Sequence, residues 1–131
     1  MNAKQTLALG IVESENETFI GFAGIANISA INRSGEYFIV IGEKLHWGKG
    51  YGTEATKTVV DYGFNSLNLH RIMLTVSAPN LVGVKACLKA GFQQEGVLRE
   101  DSYRDGAYHD AIAMSILRSE WELIRLQDAN K

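Results

Sequence analysis

The glycine-rich segment WGKGYGTEA, residues 47–55, places three glycines at alternate positions directly before a helix-forming sequence. Glycine weakens the start of a helix because it loses more backbone entropy on folding than any other residue. Gly48, Gly50 and Gly52 therefore indicate that the bare backbone has a function. A helix N-terminus carries unpaired N–H groups and the positive end of the helix dipole, and glycine allows a ligand to approach them closely. The segment predicts a phosphate-binding turn between a strand and a helix, with a flexible turn before an amphipathic helix as the alternative.

Strands and helices are predicted on both sides of this turn. We expect strands at residues 6–12, 18–29, 36–42, 71–78, 92–101 and 108–118, and helices at residues 53–69 and 80–90. The strand–helix–strand unit in the middle should pair its strands in parallel through a right-handed crossover. Asp105 and Gly106 predict a tight hairpin between the last two strands. The predicted fold is an α/β domain around a mixed central sheet.

Three further predictions concern the strand at residues 71–78, the C-terminal tail and the aromatic residues near the C-terminus. The sequence of residues 71–78 is nearly continuously apolar, as expected of a central strand covered on both faces. The tail, residues 119–131, is predicted as a frayed helix. Core packing is the default expectation for Tyr103, Tyr108 and Trp121, with an acceptor pocket or a dimer contact as the alternative.

Size and charge limit the class of protein. The chain has 131 residues and a net charge of -2, which fits a single domain over residues 1–131 and gives no basic surface for nucleic acid. It contains no apolar run that would span a membrane and no signal-peptide core. One cysteine, Cys87, excludes an internal disulfide, so a soluble cytoplasmic protein is expected. The three histidines share no metal-ligand spacing, and no metal site is predicted.

The glycine-rich segment can be compared with known phosphate-binding turns. A Walker turn needs Lys and then Ser or Thr after its last glycine, whereas a threonine and a glutamate follow Gly52. A dinucleotide turn beginning at Gly48 needs a glycine where Thr53 stands. The segment resembles instead the pyrophosphate-binding loop of the GNAT family of N-acetyltransferases, Gln/Arg-x-x-Gly-x-Gly/Ala. Gly50 and Gly52 match its glycines, and Trp47 stands where Gln or Arg is usual.

Two later segments resemble the same family. Residues 80–100 are similar to its motif N-x-x-S-x-x-x-Y-x-K-x-G-F-x-x-E-G, with matches at Asn80, Lys89, Gly91, Phe92, Glu95 and Gly96. Residues 103–121 are similar to the terminal hairpin of its ribosomal-protein-alanine acetyltransferase branch. The resemblance covers about residues 6–122. A typical member begins with a further strand and one or two helices, which carry part of the acceptor site. The predicted elements of this chain start at about the second strand of the family, so we expect that part of the acceptor site to be missing or supplied by something else.

The resemblance implies both a fold and an activity. Two parallel strands should splay apart so that the pantetheine arm of acetyl-CoA lies between them. The implied reaction moves the acetyl group of acetyl-CoA, the cosubstrate, to a primary amine of a protein N-terminus, a polyamine or another small amine. The alternatives are a non-catalytic acyl-CoA-binding module that has lost its acceptor site and, disfavoured by the failed matches above, an unrelated nucleotide-binding domain. A homodimer that completes an open acceptor cleft is a further expectation.

The resemblance also assigns cofactor-binding residues by position. They are Trp47, Gly48, Lys49, Gly50, Tyr51, Gly52 and Thr53 of the turn, together with Asn80 and Lys85 of the second helix region. Asparagine at position 80 also suits the N-cap of that helix, and capping does not exclude a cofactor contact. The two lysines could offset phosphate charge or could be ordinary solvated side chains.

Two catalytic residues are expected from family position. Glu36 lies near the place of a carboxylate that removes the amine proton through water, with Glu43 in reserve if the alignment slips by one residue. The alternative for Glu36 is a solvated charge at a strand end. Cys87 falls where the family often carries a tyrosine that protonates the CoA thiolate. It could supply that proton, act as a covalent nucleophile, or be a small buried hydrophobe.

Overall fold

The strands form one six-stranded sheet in a computed structural model that describes residues 5–13, 18–42 and 50–129. The elements are β1 Gln5–Glu13, β2 Thr18–Ser29, β3 Ser34–Ile41, α1 Tyr51–Asn65, β4 Arg71–Ser77, α2 Leu81–Lys89, β5 Gln93–Arg104, β6 Ala107–Leu117 and α3 Arg118–Ala129. The strand order is β1-β2-β3-β4-β6-β5, with β3 and β4 parallel and every other neighbouring pair antiparallel. The predicted α/β fold with a mixed sheet is confirmed.

The parallel strands β3 and β4 part after a short contact. They pair only at Ser34 with Arg71, at Gly35 with Ile72, and at Glu36 with Met73. Beyond these positions β3 continues along β2, and β4 continues along β6. A cleft therefore opens between the C-terminal halves of the two strands, as the family resemblance predicts for the cofactor.

α1 packs on the sheet through a single stripe of its surface. The buried residues recur at helical spacing and are Thr56, Val59, Val60, Gly63 and Phe64. Gly63 lets the helix approach the sheet closely, because an added Cβ there would lie 2.8 Å from Cδ1 of both Ile25 and Ile72. This close approach joins α1 to the core beneath it.

β4 is covered on one face rather than on both. Ile72 and Leu74 are 0% and 3% exposed, whereas Met73 between them is only partly buried and Thr75 is exposed. The predicted cover on both faces is wrong, because the described helices pack on the face that carries Ile72. α1 contacts the sheet there, α2 contacts α1, and α3 stacks Trp121 on α1.

The C-terminal helix α3 is anchored rather than frayed. Trp121 stacks on Phe64 with 5.0 Å between ring centroids, and its Nε1 donates to Asp61 Oδ1 at 2.7 Å. Arg118 donates to the carbonyl oxygens of Phe64 and Leu69 at 2.6 and 3.0 Å. The prediction of a frayed tail is wrong for these residues, because their partners lie far away in sequence. Core packing is confirmed for Trp121, which is buried.

The hairpin between β5 and β6 turns at Asp105 and Gly106, whose φ angles are 54° and 80°. Positive φ at both central residues is typical of a type I′ turn, so the predicted tight hairpin is confirmed. Tyr103 and Tyr108 pair edge to face near this turn, with ring centroids 5.1 Å apart, and both are exposed. Core packing is therefore wrong for these two tyrosines, because β4 supports β6 only from Ala111 onward.

Among the described residues, no helix combines the length and apolar character needed to cross a bilayer. In the same part of the chain, no three His, Cys, Asp or Glu side chains converge so as to hold a metal ion.

Candidate functional site

The first turn of α1 presents backbone amides that no helical carbonyl accepts. Gly50 caps the helix with a φ of 83°, in the left-handed region. The first intrahelical bond runs from the Glu54 N–H to the Gly50 carbonyl at 3.0 Å. The N–H groups of Tyr51, Gly52 and Thr53 precede it and have no intrahelical acceptor. The helix begins two residues before the predicted start at residue 53, so Gly52 lies inside its first turn.

Among the described residues, nothing covers this turn. A Cβ added at Gly50 or at Gly52 would meet no atom of the part of the chain that the structure describes within 4 Å. Gly50 is required by its positive φ, whereas the packing of the described residues does not require glycine at position 52. The bare backbone there can serve a ligand, and the helix dipole favours an anion such as a diphosphate. Trp47, Gly48 and Lys49 of the predicted turn, and the reserve base Glu43, lie outside the described residues.

A buried hydrogen-bond chain connects β3 to this turn. Thr56 Oγ1 donates to the Gly52 carbonyl oxygen at 2.5 Å, and Tyr37 Oη lies 2.8 Å from Thr56 Oγ1. Because the threonine hydroxyl has one proton and donates it to Gly52, Tyr37 is the donor in the second bond. Sequence reasoning missed this pair. Alternation along β3 could have placed Tyr37 on the buried face, but only the docking of α1 brings Thr56 to it.

Cys87 of α2 is half-buried against the same core and lies near enough to Tyr37 to interact with it electrostatically. Burial raises the pKa of the Cys87 thiol well above that of an ordinary thiol, to about 11. Burial also raises the pKa of Tyr37, the bond with Thr56 lowers it to a smaller extent, and Cys87 adds a further increase. A thiol with so high a pKa is protonated at neutral pH and is a poor nucleophile.

α2 begins beside the end of β4 and is capped by Asn80. The Asn80 Oδ1 atom accepts a hydrogen bond from the Gly83 N–H at 3.0 Å, which confirms the predicted capping role. Lys85 is exposed on this helix. The contact between α1 and α2 places the start of α2 and the first turn of α1 on the same side of the sheet.

Glu36 occupies the last paired position before β3 and β4 part. Its carboxylate is partly buried, and Asn27 Nδ2 donates to Oε2 at 3.3 Å. Neighbouring residues of a strand point to opposite faces, so Glu36 and Tyr37 lie on different faces of the sheet. The structure thus places both Cys87 and Gly52 on the helix side of the sheet, and it places the predicted base on the opposite face.

Comparisons with known proteins connect this geometry with acetyltransferases. The family model described as Acetyltransferase (GNAT) domain matches residues 1–93. A spermidine N(1)-acetyltransferase of Vibrio cholerae is 36% identical over 111 residues, which cover 85% of this chain and 64% of that protein. An uncharacterized N-acetyltransferase of Bacillus subtilis, YoaA, is 34% identical over 116 residues, 88% of this chain and 64% of that protein. The chain therefore spans 64% of the length of these two curated relatives.

A solved structure shares the fold. The crystal structure of spermidine N-acetyltransferase from Vibrio cholerae in complex with CoA and spermine matches with a TM-score of 0.82 at 32% identity. The match covers 89% of this chain and 68% of that chain. Because the family model covers most of the sequence and the solved relative shares the sheet, this chain belongs to the family of the acetyltransferase (GNAT) domain.

Proposed function

We propose that the chain is an N-acetyltransferase that moves the acetyl group of acetyl-CoA to a primary amine by direct attack. The observation that carries the proposal is the open first turn of α1 beside a sheet whose parallel strands part after Glu36 and Met73. Relatives named for spermidine acetylation, one of them solved with CoA and spermine, support the same activity.

The cosubstrate is proposed to bind mainly through main-chain groups. A diphosphate needs close approach to backbone amides, and no atom of the described residues blocks that approach at Gly50 or Gly52. The residues proposed to hold it are Trp47, Gly48, Lys49, Gly50, Tyr51, Gly52 and Thr53, with Asn80 and Lys85 beside them. When bound, acetyl-CoA supplies the acetyl group as a thioester, and the amine attacks its carbonyl carbon.

The acceptor amine must lose a proton before it can attack. A lysine-like amine with a pKa of about 10.4 is neutral at pH 7 in only about one molecule in 2,500, a deficit of about 4.6 kcal/mol. We propose that the Glu36 carboxylate accepts this proton, directly or through water. Its position at the edge of the cleft and its hydrogen bond from Asn27, which orients one oxygen, support that role.

The departing CoA thiolate needs little help from an acid, because an ordinary thiol has a pKa of only about 8.5. Efficient proton donors have a pKa near the working pH. Burial gives Cys87 a pKa of about 11, which supports a packing role for this side chain over proton donation. We therefore assign no covalent step to Cys87, and its role as the acid stays a prediction.

For the acceptor we propose a polyamine, because the spermidine acetyltransferases are similar to this chain over 85% of its length or more. The alternative is a protein N-terminus, suggested by the resemblance of residues 103–121 to the ribosomal-protein-alanine branch. An α-amino group, with a pKa of about 7.7–8.0, would need less help from a base. On sequence grounds alone we also propose a cytoplasmic homodimer that has no nucleic-acid partner.

A free-thiol release assay with acetyl-CoA tests the proposal. Spermidine, spermine and a peptide with a free N-terminus would be the acceptors, and thermal shift with CoA alone would measure binding. We expect CoA to raise Tm and at least one amine to release thiol. Stabilisation by CoA with no turnover on any amine would favour the acyl-CoA-binding module, and the absence of both effects would overturn the proposal.

A further inference from the structure

The hydrogen-bond chain from Tyr37 through Thr56 to Gly52 has no part in the chemistry proposed above, yet it ends at the cosubstrate turn. Tyr37 is 4% exposed and Thr56 is 2% exposed. A threonine inside a helix commonly bonds back to the carbonyl four residues earlier. Here a second side chain, from the sheet, donates to the same hydroxyl, which fixes the hydroxyl's orientation.

The bonded carbonyl belongs to the peptide unit that also carries the Thr53 N–H. In a trans peptide, the C=O of one residue and the N–H of the next point in opposite directions within one plane. Holding the Gly52 carbonyl therefore also holds the direction of the Thr53 N–H, one of the amides without a helical acceptor. The helical bond from the Thr56 N–H restrains the same carbonyl, and the hydroxyl adds a second restraint at a glycine, whose backbone has more freedom than that of any other residue.

We propose that Thr56 and Tyr37 are positioning residues of the cosubstrate turn, which hold the Gly52–Thr53 peptide so that its N–H points toward the bound diphosphate. This inference rests on the proposed acetyl-CoA site. Amides that are already ordered bind an anion more tightly, because less freedom is lost on binding. Gly52 has no side chain to block the approach of the diphosphate, and the bond from the Thr56 hydroxyl still holds its backbone in place.

Proton transfer does not explain this arrangement. Tyr37 donates to Thr56, and Thr56 donates to a carbonyl oxygen, which has no proton to pass on. Burial also raises the pKa of Tyr37, which makes it a weaker acid than an exposed tyrosine. The two hydrogen bonds therefore serve to orient the Gly52–Thr53 peptide, at which they end.

Three variants and a matched control test the inference, with CoA as the probe in isothermal titration calorimetry. Thr56→Val keeps the side-chain shape and removes the hydroxyl, Thr56→Ser keeps the hydroxyl, and Tyr37→Phe removes only the donor to it. The control is Thr58→Val, because Thr58 Oγ1 makes the same kind of bond to the Glu54 carbonyl at 2.9 Å. The N–H in that peptide belongs to Ala55, inside the helix, so no free amide is affected.

We expect Thr56→Val to weaken CoA binding about 3- to 10-fold, the range of one buried hydrogen bond. The kcat at saturating acetyl-CoA should stay within about twofold, while KM for acetyl-CoA rises. Thr56→Ser and Thr58→Val should bind CoA like the wild type. Tyr37→Phe should weaken binding less than Thr56→Val does, and adding it to Thr56→Val should have no further effect, since both act through one hydroxyl.

Unchanged CoA affinity in Thr56→Val, or an equal loss in Thr58→Val, would overturn the inference. So would a lower Tm without a change in affinity, which would show a purely structural bond. If Thr56→Val does not fold, the CoA affinity of Tyr37→Phe is the test, and an affinity equal to that of the wild type would overturn the inference. A wild type that binds no CoA would overturn the proposed function together with this inference, whereas CoA binding that none of the variants weakens would overturn the inference alone.

Discussion

Burial determines which side chains near the cleft can exchange protons at ordinary pH. Cys87 and Tyr37 lie between the helices and the sheet, where a charge is poorly solvated, and burial raises the pKa of both groups. Glu36 lies on the other face, partly buried, with an amide donor from Asn27. The sheet thus separates the candidate base from the half-buried thiol, and the two residues can be tested independently.

The raised pKa of Cys87 predicts how stability depends on pH. Above pH 9 the unfolded chain releases the thiol proton, while the folded protein retains it up to about pH 11. The contribution of Cys87 to the free energy of unfolding should therefore be complete below pH 9 and fall as the pH rises toward 11. Urea unfolding of wild type and Cys87→Ala from pH 7 to 11 should show their difference narrowing above pH 9. A constant difference would contradict the prediction.

Glu36→Gln should lower kcat/KM by about 100-fold, the smaller end of the range for general-base catalysis. The pH optimum should also rise, because the amine must then lose its proton without help. Steady-state kinetics from pH 6 to 10 would measure both effects, with the exposed Glu122→Gln as the control. An unchanged pH profile would remove Glu36 as the base. Full turnover in both Glu36→Gln and Cys87→Ala would remove both catalytic assignments and leave the family intact.

At the scale of the element, helix α1 shows what the sequence can predict and where prediction fails. Apolar spacing alone predicts that Val59, Val60 and Phe64 lie on one side of the helix, and all three are buried. The sequence predicts that the helix begins at residue 53, because glycine disfavours a helix, whereas Gly52 lies inside the first turn with Thr56 bonded to its carbonyl. That bond depends on a tertiary contact with β3, which no local spacing encodes.

Gly52→Ala should separate stability from binding at the start of α1. The added methyl meets no atom of the described residues within 4 Å, and alanine is a better helix former, so the unliganded protein should become more stable by up to about 1 kcal/mol. CoA affinity should fall about tenfold, or about 1.4 kcal/mol, because the methyl covers the amides. Urea unfolding and calorimetric titration would measure the two effects.

The control for the stability and affinity measurements is Gly96→Ala in β5, whose added methyl also meets no atom within 4 Å in the part of the chain that the structure describes. It should leave CoA affinity unchanged, because β5 lies at the far edge of the sheet. An affinity in Gly52→Ala equal to that of the wild type would show that the bare backbone of the turn has no binding role.

α3 should be an integral part of the fold. Trp121→Ala removes a buried ring that stacks on Phe64 and a hydrogen bond to Asp61, so we expect a loss of about 3–5 kcal/mol. Leu126→Ala, at a position 63% exposed on the same helix, should cost at most about 0.5 kcal/mol. Urea unfolding of both variants would measure the contrast, and equal effects would show that α3 is not held by its tryptophan.

At the scale of the whole molecule, the split between β3 and β4 determines where a ligand can enter. Pairing ends at Glu36 and Met73, yet each strand keeps its outer partner, so the cleft has two supported walls. The parallel unit could be predicted from the order of strands and helices. The insertion of β6 between β4 and β5 could not, because sequence patterns do not specify which strands become neighbours.

Hydrogen exchange should detect occupancy of this cleft. If the pantetheine arm pairs with the parted strands, CoA should slow exchange of backbone amides in residues 37–41 and 74–77. The ladder between β1 and β2, on the outer side of the sheet, should exchange at the same rate with and without CoA. Equal slowing in both regions would indicate general stabilisation, and no slowing at the cleft would exclude pairing there.

The place of β6 in the sheet has a consequence for biosynthesis. The long ladder of β4, from Arg71 to Ser77, is made with a strand that leaves the ribosome only after β5 has been synthesised. Until then Ile72 and Leu74 belong to an edge strand, which is prone to associate with other chains. A chain truncated near residue 93, where the family match ends, would lack β6 and leave β4 as an edge strand. We therefore expect such a fragment to aggregate or to be bound by chaperones and degraded by proteases.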